Sequence, residues 1–405
     1  MSIERCDVAI VGAGMIGSAL AALLVRSGLQ VIVVEAGSID PAPRRRGEGR
    51  VSALNAAAER VLAAAGAWQT ILVDGACPYR EMHVWDACSS GSIHFDCADL
   101  GEARLGHIVE NLSVVDALIA RLKDQPGLRF RAPAKLSALS DAGDTMLLEL
   151  DDGSRIAARL VVGADGAGSH VRRLAGLEVE THDYEQRAIV CSVTTEQPHR
   201  DTAWQRFLPT GPLAFLPLAD GRSSIVWSTS IAHSEALLAA DERSFRDELG
   251  AAFEFRLGRI MACGPRAAFP LRRQHAKHYV GTRVALVGDA AHVVHPLAGQ
   301  GANLGFLDAA ALAEVVADAA ASSVDIGSSR VLRRYERWRK GDNLATMWVM
   351  DGFRHLFSSA VPPVRFARSV GLGLTDALTP VKHVLVRRAM GLCGDLPALA
   401  RGGAL

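Results

Sequence analysis

Residues 7–35 read DVAIVGAGMIGSALAALLVRSGLQVIVVE, and this stretch decides the fold. Val8 to Val11 are uniformly apolar, as in a parallel strand buried on both faces. Gly12, Gly14 and Gly17 follow as G-x-G-x-x-G. Ala19 to Val25 then form a small-residue helix, and Gly28 suits its C-terminal end. Val31 to Val34 make a second buried strand, closed by Glu35. Gly12 permits the tight turn, and Gly14 lets a pyrophosphate approach bare backbone. Gly17 lets helix and strand pack closely, with the helix N-terminus facing the phosphates. Glu35, 18 residues beyond Gly17, is placed to accept the ribose hydroxyls of an adenosine. The expectation is a dinucleotide-binding β-α-β unit at the start of an α/β chain.

A second glycine-rich stretch lies far downstream: VALVGDAAHVVHPLAGQGANLGFLD, residues 284–308. Val284 to Val287 read as a buried strand ending on Gly288-Asp289, and ligands of open α/β sheets bind at the carboxyl ends of strands. The Asp289 carboxylate is placed to accept a hydroxyl from the ribityl chain of a flavin. The Gly299-Gln300-Gly301 turn opens a helix from about Asn303 to Ala317. Its N–H groups and positive end would face the flavin pyrimidine edge. Pro296 fixes the loop entering that turn. A nucleotide contact this distant suits a long cofactor such as FAD. Between the two, ARLVVGADGAGSHVRR (158–173) reads as a strand, Leu160–Val162, running into Gly163-Ala164-Asp165-Gly166 and a helix carrying Arg172 and Arg173.

The chain has 405 residues, enough for a large core and two domains. Lys+Arg and Asp+Glu both total 44, which speaks against nucleic-acid binding. Seven scattered cysteines with no C-x-x-C pair point to a reducing cytoplasm. No apolar run reaches membrane-span length. His292 and His295 stand at i, i+3 with no third ligand in view, so no metal is expected. Residues 188–230 alternate like an antiparallel meander, with EMHVWD and SIHFDC as two further strands. Such a sheet would cover the reactive face of a flavin, with Phe207, Phe215, Leu216 and Trp227 as candidate substrate wall. The expected FAD-binding domain is discontinuous, 1–75, 98–180 and 269–345. Residues 76–97 and 181–268 form the substrate domain, and 346–405 a helical tail. In the tail, Val381, Val384, Leu385 and Ala389 share one helical face, and Lys382, His383, Arg387 and Arg388 lie elsewhere. Such a helix rests on an anionic membrane or packs on its own domain.

Together, GAGMIG with Glu35, GADG and the 284–308 stretch resemble the group A aromatic flavoprotein hydroxylases. HPLAGQGANLG with its following Asp is similar to the ubiquinone-biosynthesis hydroxylases within that group. GRVSALN (49–55), GHIVEN (106–111), FLPTGPLAFLPL (207–218) and FPLRRQHA (269–276) extend the resemblance over nearly the whole chain. CPYREMHVWD (77–86) and MDGFRHLFS (350–358) look most like the enzyme that hydroxylates a demethoxy-type quinol at ring carbon 6. The resemblance implies a p-hydroxybenzoate hydroxylase-like fold: a Rossmann-like FAD domain, an antiparallel β-sheet substrate domain and a helical tail. It implies FAD reduced by NAD(P)H or another donor, O2 as oxidant, and a flavin C4a-hydroperoxide that hydroxylates a polyprenylated phenol or quinol. It implies that Arg50 contacts the FAD nucleotide and that Asp165 serves FAD or NAD(P)H, with Arg172 or Arg173 as its partner. It places Glu110-Asn111 near the flavin, with Leu112 departing from the arginine of many relatives, and His295 as a proton shuttle. Contact with a biosynthetic assembly and with the inner membrane face follows from the substrate. Two rival readings stand beside it: a same-fold flavoprotein acting on a soluble aromatic or a prenyl chain, and a non-catalytic flavin-binding scaffold.

Overall fold

The computed structural model describes residues 3–40, 49–294, 300–358 and 379–404. Its first sheet is built outward from strand Ile3–Val11, which pairs in parallel with Val31–Val34 on one side and Arg155–Gly163 on the other. Leu128–Arg131 extends it beyond Val31–Val34, and Val284–Leu286 beyond Arg155–Gly163, both in parallel. Val8, Ile10 and Val33 are fully buried, as a sheet covered on both faces requires. Register aligns Val11 with Gly163 and Gly163 with Leu286. The three glycine-bearing turns therefore emerge side by side at the carboxyl end of one sheet.

The helix after the first turn spans Met15–Arg26, with Gly17 to Leu24 buried, and Ser27 is its C-cap. Gly28 follows at φ +81°, a left-handed position that favours glycine. Helix Gln300–Ala321 packs against Met15–Arg26 and carries the third signature into the core. A long helix, Ser329–Ser358, packs on it in turn.

Among the described residues the second sheet has nine strands and is antiparallel except where Thr202–Leu208 runs parallel to Glu81–Asp86. The meander expected over 188–230 appears as Val179–Thr195, Thr202–Leu208, Gly211–Pro217 and Ser223–Ser230. Strand Ala267–Ala276 pairs along Val179–Thr195. Residues 269–276, expected with the cofactor domain, thus lie in the antiparallel sheet, because their ladder partners are there. His292–Val293 also pairs with Gln274 and His275. The segment 284–293 therefore begins in the first sheet and ends in the second, and Asp289 sits at the crossing.

Strand periodicity divides the second sheet into two faces. Leu213, Phe215, Ile225 and Trp227 pack with Phe245, Leu249 and Phe253, under helices Ile231–Ala239 and Glu242–Ala252. Phe207 and Leu216 share the opposite face with Phe269, as the cross-strand register requires. Arg50 lies over the Phe269 ring, 5.1 Å from its centroid. That face therefore looks toward the cofactor domain, and the one carrying Phe215 and Trp227 looks away.

Helix Thr379–Ala389 buries Lys382 and Val386, with Met390 one turn further, against Cys97 and Leu105. The Lys382 ammonium lies 3.4 Å from Asp99. Ala389, expected on the apolar face, is exposed; the side chains of Val381, Val384 and Leu385 lie outside the described residues. Packing on the chain's own domain has claimed the turn of the helix that includes Lys382. Among the described residues no helix is long and apolar enough to cross a membrane.

Candidate functional site

The glycine turn separates the three jobs proposed for its glycines. Gly12 has φ +108°, and a Cβ there would stand 2.4 Å from the Ala164 carbonyl oxygen. A Cβ on Gly17 would stand 2.0 Å from the Gly12 carbonyl oxygen. Both glycines are thus demanded by the protein's own backbone. Gly14 differs: its backbone is extended, φ −69° and ψ −175°, and nothing lies within 4 Å of the place its Cβ would take. No side chain caps the helix that begins beside it. Bare backbone, open space and uncapped N–H groups with a partial positive charge form a cradle for an anion, and a pyrophosphate fits it.

Across the sheet, Gly288 to Ala290 form a single 3-10 turn with Gly288 at φ +58°. Asp289 is solvent-accessible and accepts no hydrogen bond among the described residues. The protein around it is dense enough that desolvation raises its pKa, opposed by the charges of His292 and Arg50. An exposed acceptor with no partner among the described residues suits a hydroxyl-rich ligand. The neighbouring glycines serve packing as well. Cβ atoms on Gly288 and Gly305 would meet Ile16 at 3.2 and 2.8 Å. Ile16, from the first turn of the opening helix, is the knob that these two glycines admit.

Beneath Asp289 lies a polar cluster that sequence reasoning missed. Asp308 is fully buried. Its Oδ2 accepts from the Gly288 N–H at 3.2 Å and from His292 Nε2 at 2.5 Å. Its Oδ1 accepts from Arg339 Nε at 2.9 Å and Asn343 Nδ2 at 3.0 Å. Burial alone would raise the Asp308 pKa, but His292, Arg339 and Asn343 outweigh it and hold the group ionised. Arg339 is also fully buried and donates to Asp342 and Asn343. His292 Nδ1 is buried without a hydrogen-bond partner. Next door, burial together with His292 lowers the His275 pKa to about 4, and its Nε2 lies 3.1 Å from the Tyr279 hydroxyl. The only sequence signal for this cluster was an Asp eight residues into a helix, a position where an unpartnered acid is costly.

Several expected ligand-binding residues are occupied by the protein itself. Asp165 accepts from Ser169 Oγ and from the His170 and Val171 N–H groups, so it clamps the start of helix His170–Leu174. Of its two candidate partners, Arg172 is the buried one, and it donates to the Ala290 and Ala167 carbonyls. It thereby ties the second turn to the third. Glu35 accepts from the Ala13 N–H at 2.7 Å and the Gly37 N–H at 2.8 Å, holding the glycine turn in place. Each of its oxygens keeps a second lone pair for a ribose hydroxyl. Asn303 accepts from the Asn55 N–H and donates to the Ala53 carbonyl, so it staples helix Gln300–Ala321 to strand Val51–Leu54. Asn111 accepts from Ser52 Oγ. Gly301 is in ordinary contact with Val294.

Phe207 and Leu216 lie on the face turned to the cofactor domain, Phe207 stacked at 3.8 Å on Phe357. Phe215 and Trp227, also expected on the wall, belong to the far core; strand alternation places them there. His295, Pro296 and Gly299, the side chain of Gln300, and Arg44 to Arg46 lie outside the described residues. The described residues include one convergent group of metal-ligand types, Glu81, His83 and His94. The two imidazoles are stacked at 4.0 Å with their planes 16° apart, and the Nε2 of each faces Glu81 Oε2, at 3.4 and 3.0 Å.

Comparison with known proteins adds the family. The FAD binding domain family matches residues 5–342. The chain is 39% identical to the 3-demethoxyubiquinol 3-hydroxylase of Escherichia coli, over 97% of its own length and 100% of the relative. It is also 39% identical to the ubiquinone hydroxylase UbiL of Rhodospirillum rubrum, over 98% and 92%. Among solved structures, a variant of PqsL from P. aeruginosa superposes with a TM-score of 0.77 at 25% identity, covering 92% of this chain and 100% of that one.

Proposed function

The chain belongs to the FAD binding domain family, and from that premise we propose that it is an FAD-dependent monooxygenase hydroxylating the aromatic ring of a polyprenylated phenol or quinol in ubiquinone biosynthesis. The observation that carries the reading is the pairing of two open features at the carboxyl end of one sheet. Gly14 leaves room for a pyrophosphate at an uncapped helix end, and Asp289 presents a carboxylate without a partner among the described residues. The names of relatives matched over nearly their whole lengths support the ring and pathway.

When bound and reduced by NAD(P)H or another donor, FAD supplies the activation of O2 that an aromatic hydroxylation requires. The chain's own residues bind and orient. The first turn of Met15–Arg26 offers its N–H groups to the pyrophosphate. Asp289 accepts a hydroxyl of the ribityl chain, and Glu35 has lone pairs for the ribose. Arg50, close enough to Asp289 to lower its pKa, balances the negative charge of the bound nucleotide. Phe207, Leu216 and Phe269 present an apolar sheet face toward the cofactor domain, which excludes water and suits an aromatic ring with a prenyl chain.

The test is isotopic. Purified protein with FAD, NAD(P)H or a chemical reductant and a short-chain demethoxyquinol, under 18O2, should give a quinol carrying one heavy oxygen on the ring. A product labelled from water, or turnover that persists without O2, sinks the monooxygenase reading. Equal turnover of a small soluble phenol and the prenylated quinol would favour the soluble-aromatic rival.

A further inference from the structure

Gly288 and His292 bracket the segment that carries Asp289, and both donate to the same oxygen of Asp308. One carboxylate oxygen thus pins both ends of a turn that has Gly288 at φ +58° and crosses between two sheets. The other oxygen is held by Arg339 and Asn343, on helix Ser329–Ser358. That helix does not end at the cofactor site. Its Asp351 accepts from the Tyr184 hydroxyl at 2.6 Å and pairs with Arg273, and its Phe357 stacks on Phe207 of the near sheet face. Asp308 is fully buried, so it cannot itself reach a ligand in the cleft.

We propose that Asp308 is a positioning residue for the cofactor: by fixing Gly288 and His292 it sets the direction of the Asp289 carboxylate. The inference rests on the reading of Asp289 as an FAD ligand and deepens it. Two features argue for positioning over bulk stability. Among the described residues Asp289 has no hydrogen bond of its own, so its orientation depends on the backbone that carries it. Four hydrogen bonds converge on Asp308 from two separate segments, two of them from the ends of the turn that carries Asp289, whereas a carboxylate needed only to neutralise Arg339 would require one.

A double-mutant cycle on the full-length apoprotein tests the link, reading FAD affinity by flavin fluorescence. Asp289→Ala should weaken FAD about ten- to a hundredfold, the loss of a hydrogen bond to a charged group. Asp308→Asn should weaken it about tenfold in the parent and less than about twofold in the Asp289→Ala background, because the group it positions is already gone. The flavin absorption spectrum of loaded Asp308→Asn should shift relative to the parent, which a loss of stability elsewhere would not produce. Should Asp308→Asn fail to fold, Asn343→Leu removes one of the four donors and should show the same dependence on Asp289 at smaller size. An equal effect of Asp308→Asn in both backgrounds overturns the inference and leaves the site reading intact. Parent-like FAD affinity in Asp289→Ala overturns the site reading, and this inference with it.

Discussion

The glycine turn at residues 12–17 and the joint around Asp308 serve the same cleft, and they are built in opposite ways. The turn works by subtraction. Gly12 and Gly17 omit a Cβ because backbone is in the way, and Gly14 omits one where the protein itself puts nothing within 4 Å. The joint works by saturation. Asp308, Arg339, Asn343 and His292 come from chain-distant segments and exchange hydrogen bonds in a volume closed to water. Subtraction yields a site that is ready without a ligand and tolerates little addition. Saturation yields one that is rigid only while every partner is present, because a half-satisfied buried network costs more than an apolar core. Damage to the two regions should therefore show up differently: in ligand binding for the turn, in folding for the joint.

The largest effect belongs to the joint. Arg339→Met leaves Asp308 buried beside His292 and Asn343 with its permanently charged partner removed. Loss of one partner of a buried pair costs about 3–5 kcal/mol. Urea unfolding should show a lower midpoint with an unchanged slope. A loss below about 1 kcal/mol would mean that water reaches Asp308 and that the joint is not the closed network described.

The turn should behave in the reverse way. The backbone at Gly14 is one that any residue adopts, so only the open space requires glycine there. Gly14→Val should leave the unfolding free energy of the apoprotein within about 0.5 kcal/mol of the parent. Affinity for FAD should fall about a hundredfold, or about 2.7 kcal/mol. Full flavin content in purified Gly14→Val would show that the open space is not where the pyrophosphate lies, and the contrast between the regions would collapse.

The same contrast explains what could be read from the sequence. Subtraction is legible, because a glycine at a set spacing between a buried strand and a helix has few other reasons to be there. The β-α-β unit, the strand leading into each glycine-bearing turn and the antiparallel meander were all expected. Saturation is not legible: Asp308 announces neither Arg339 nor Asn343, which lie on a helix formed much later in the chain. Asp165 and Asn303 show the related difficulty. The sequence marks a polar residue near a cofactor motif but not the backbone groups that it also serves. Phe215 and Trp227 are a different case. The period of two was already in the sequence, and Phe207 and Phe215 are separated by an even number of residues across a tight turn, which does not preserve the face. Only the register, Phe207 opposite Pro212, settles which side each takes.

The smallest expected effect is a slope, and it separates the two regions by pH. His275 pairs with His292 across the strands at the edge of the joint, and desolvation, with the positive charges of His292, Lys340 and Arg273, lowers its pKa from 6.5 to about 4. The folded protein thus holds His275 neutral at a pH where the unfolded chain would protonate it. Between those two values the unfolded state binds more protons. Stability from this group is therefore complete above pH 6.5 and is lost as pH falls through the window toward about 4. The limiting slope is about 1.4 kcal/mol per pH unit. Carboxylates elsewhere titrate toward the lower end, so the informative quantity is the difference between the parent and His275→Gln from pH 6.5 down to about 5. The parent should lose stability faster across that range, and the gap between the two curves should narrow as the acid form of the unfolded chain gains population. Parallel curves would mean that His275 exchanges protons freely in the folded state, which a closed joint does not allow. The glycine turn has no histidine within it. The Gly14→Val protein should accordingly follow the parent's pH profile throughout, so this acid-sensitive part of the stability belongs to the joint and not to the glycine turn.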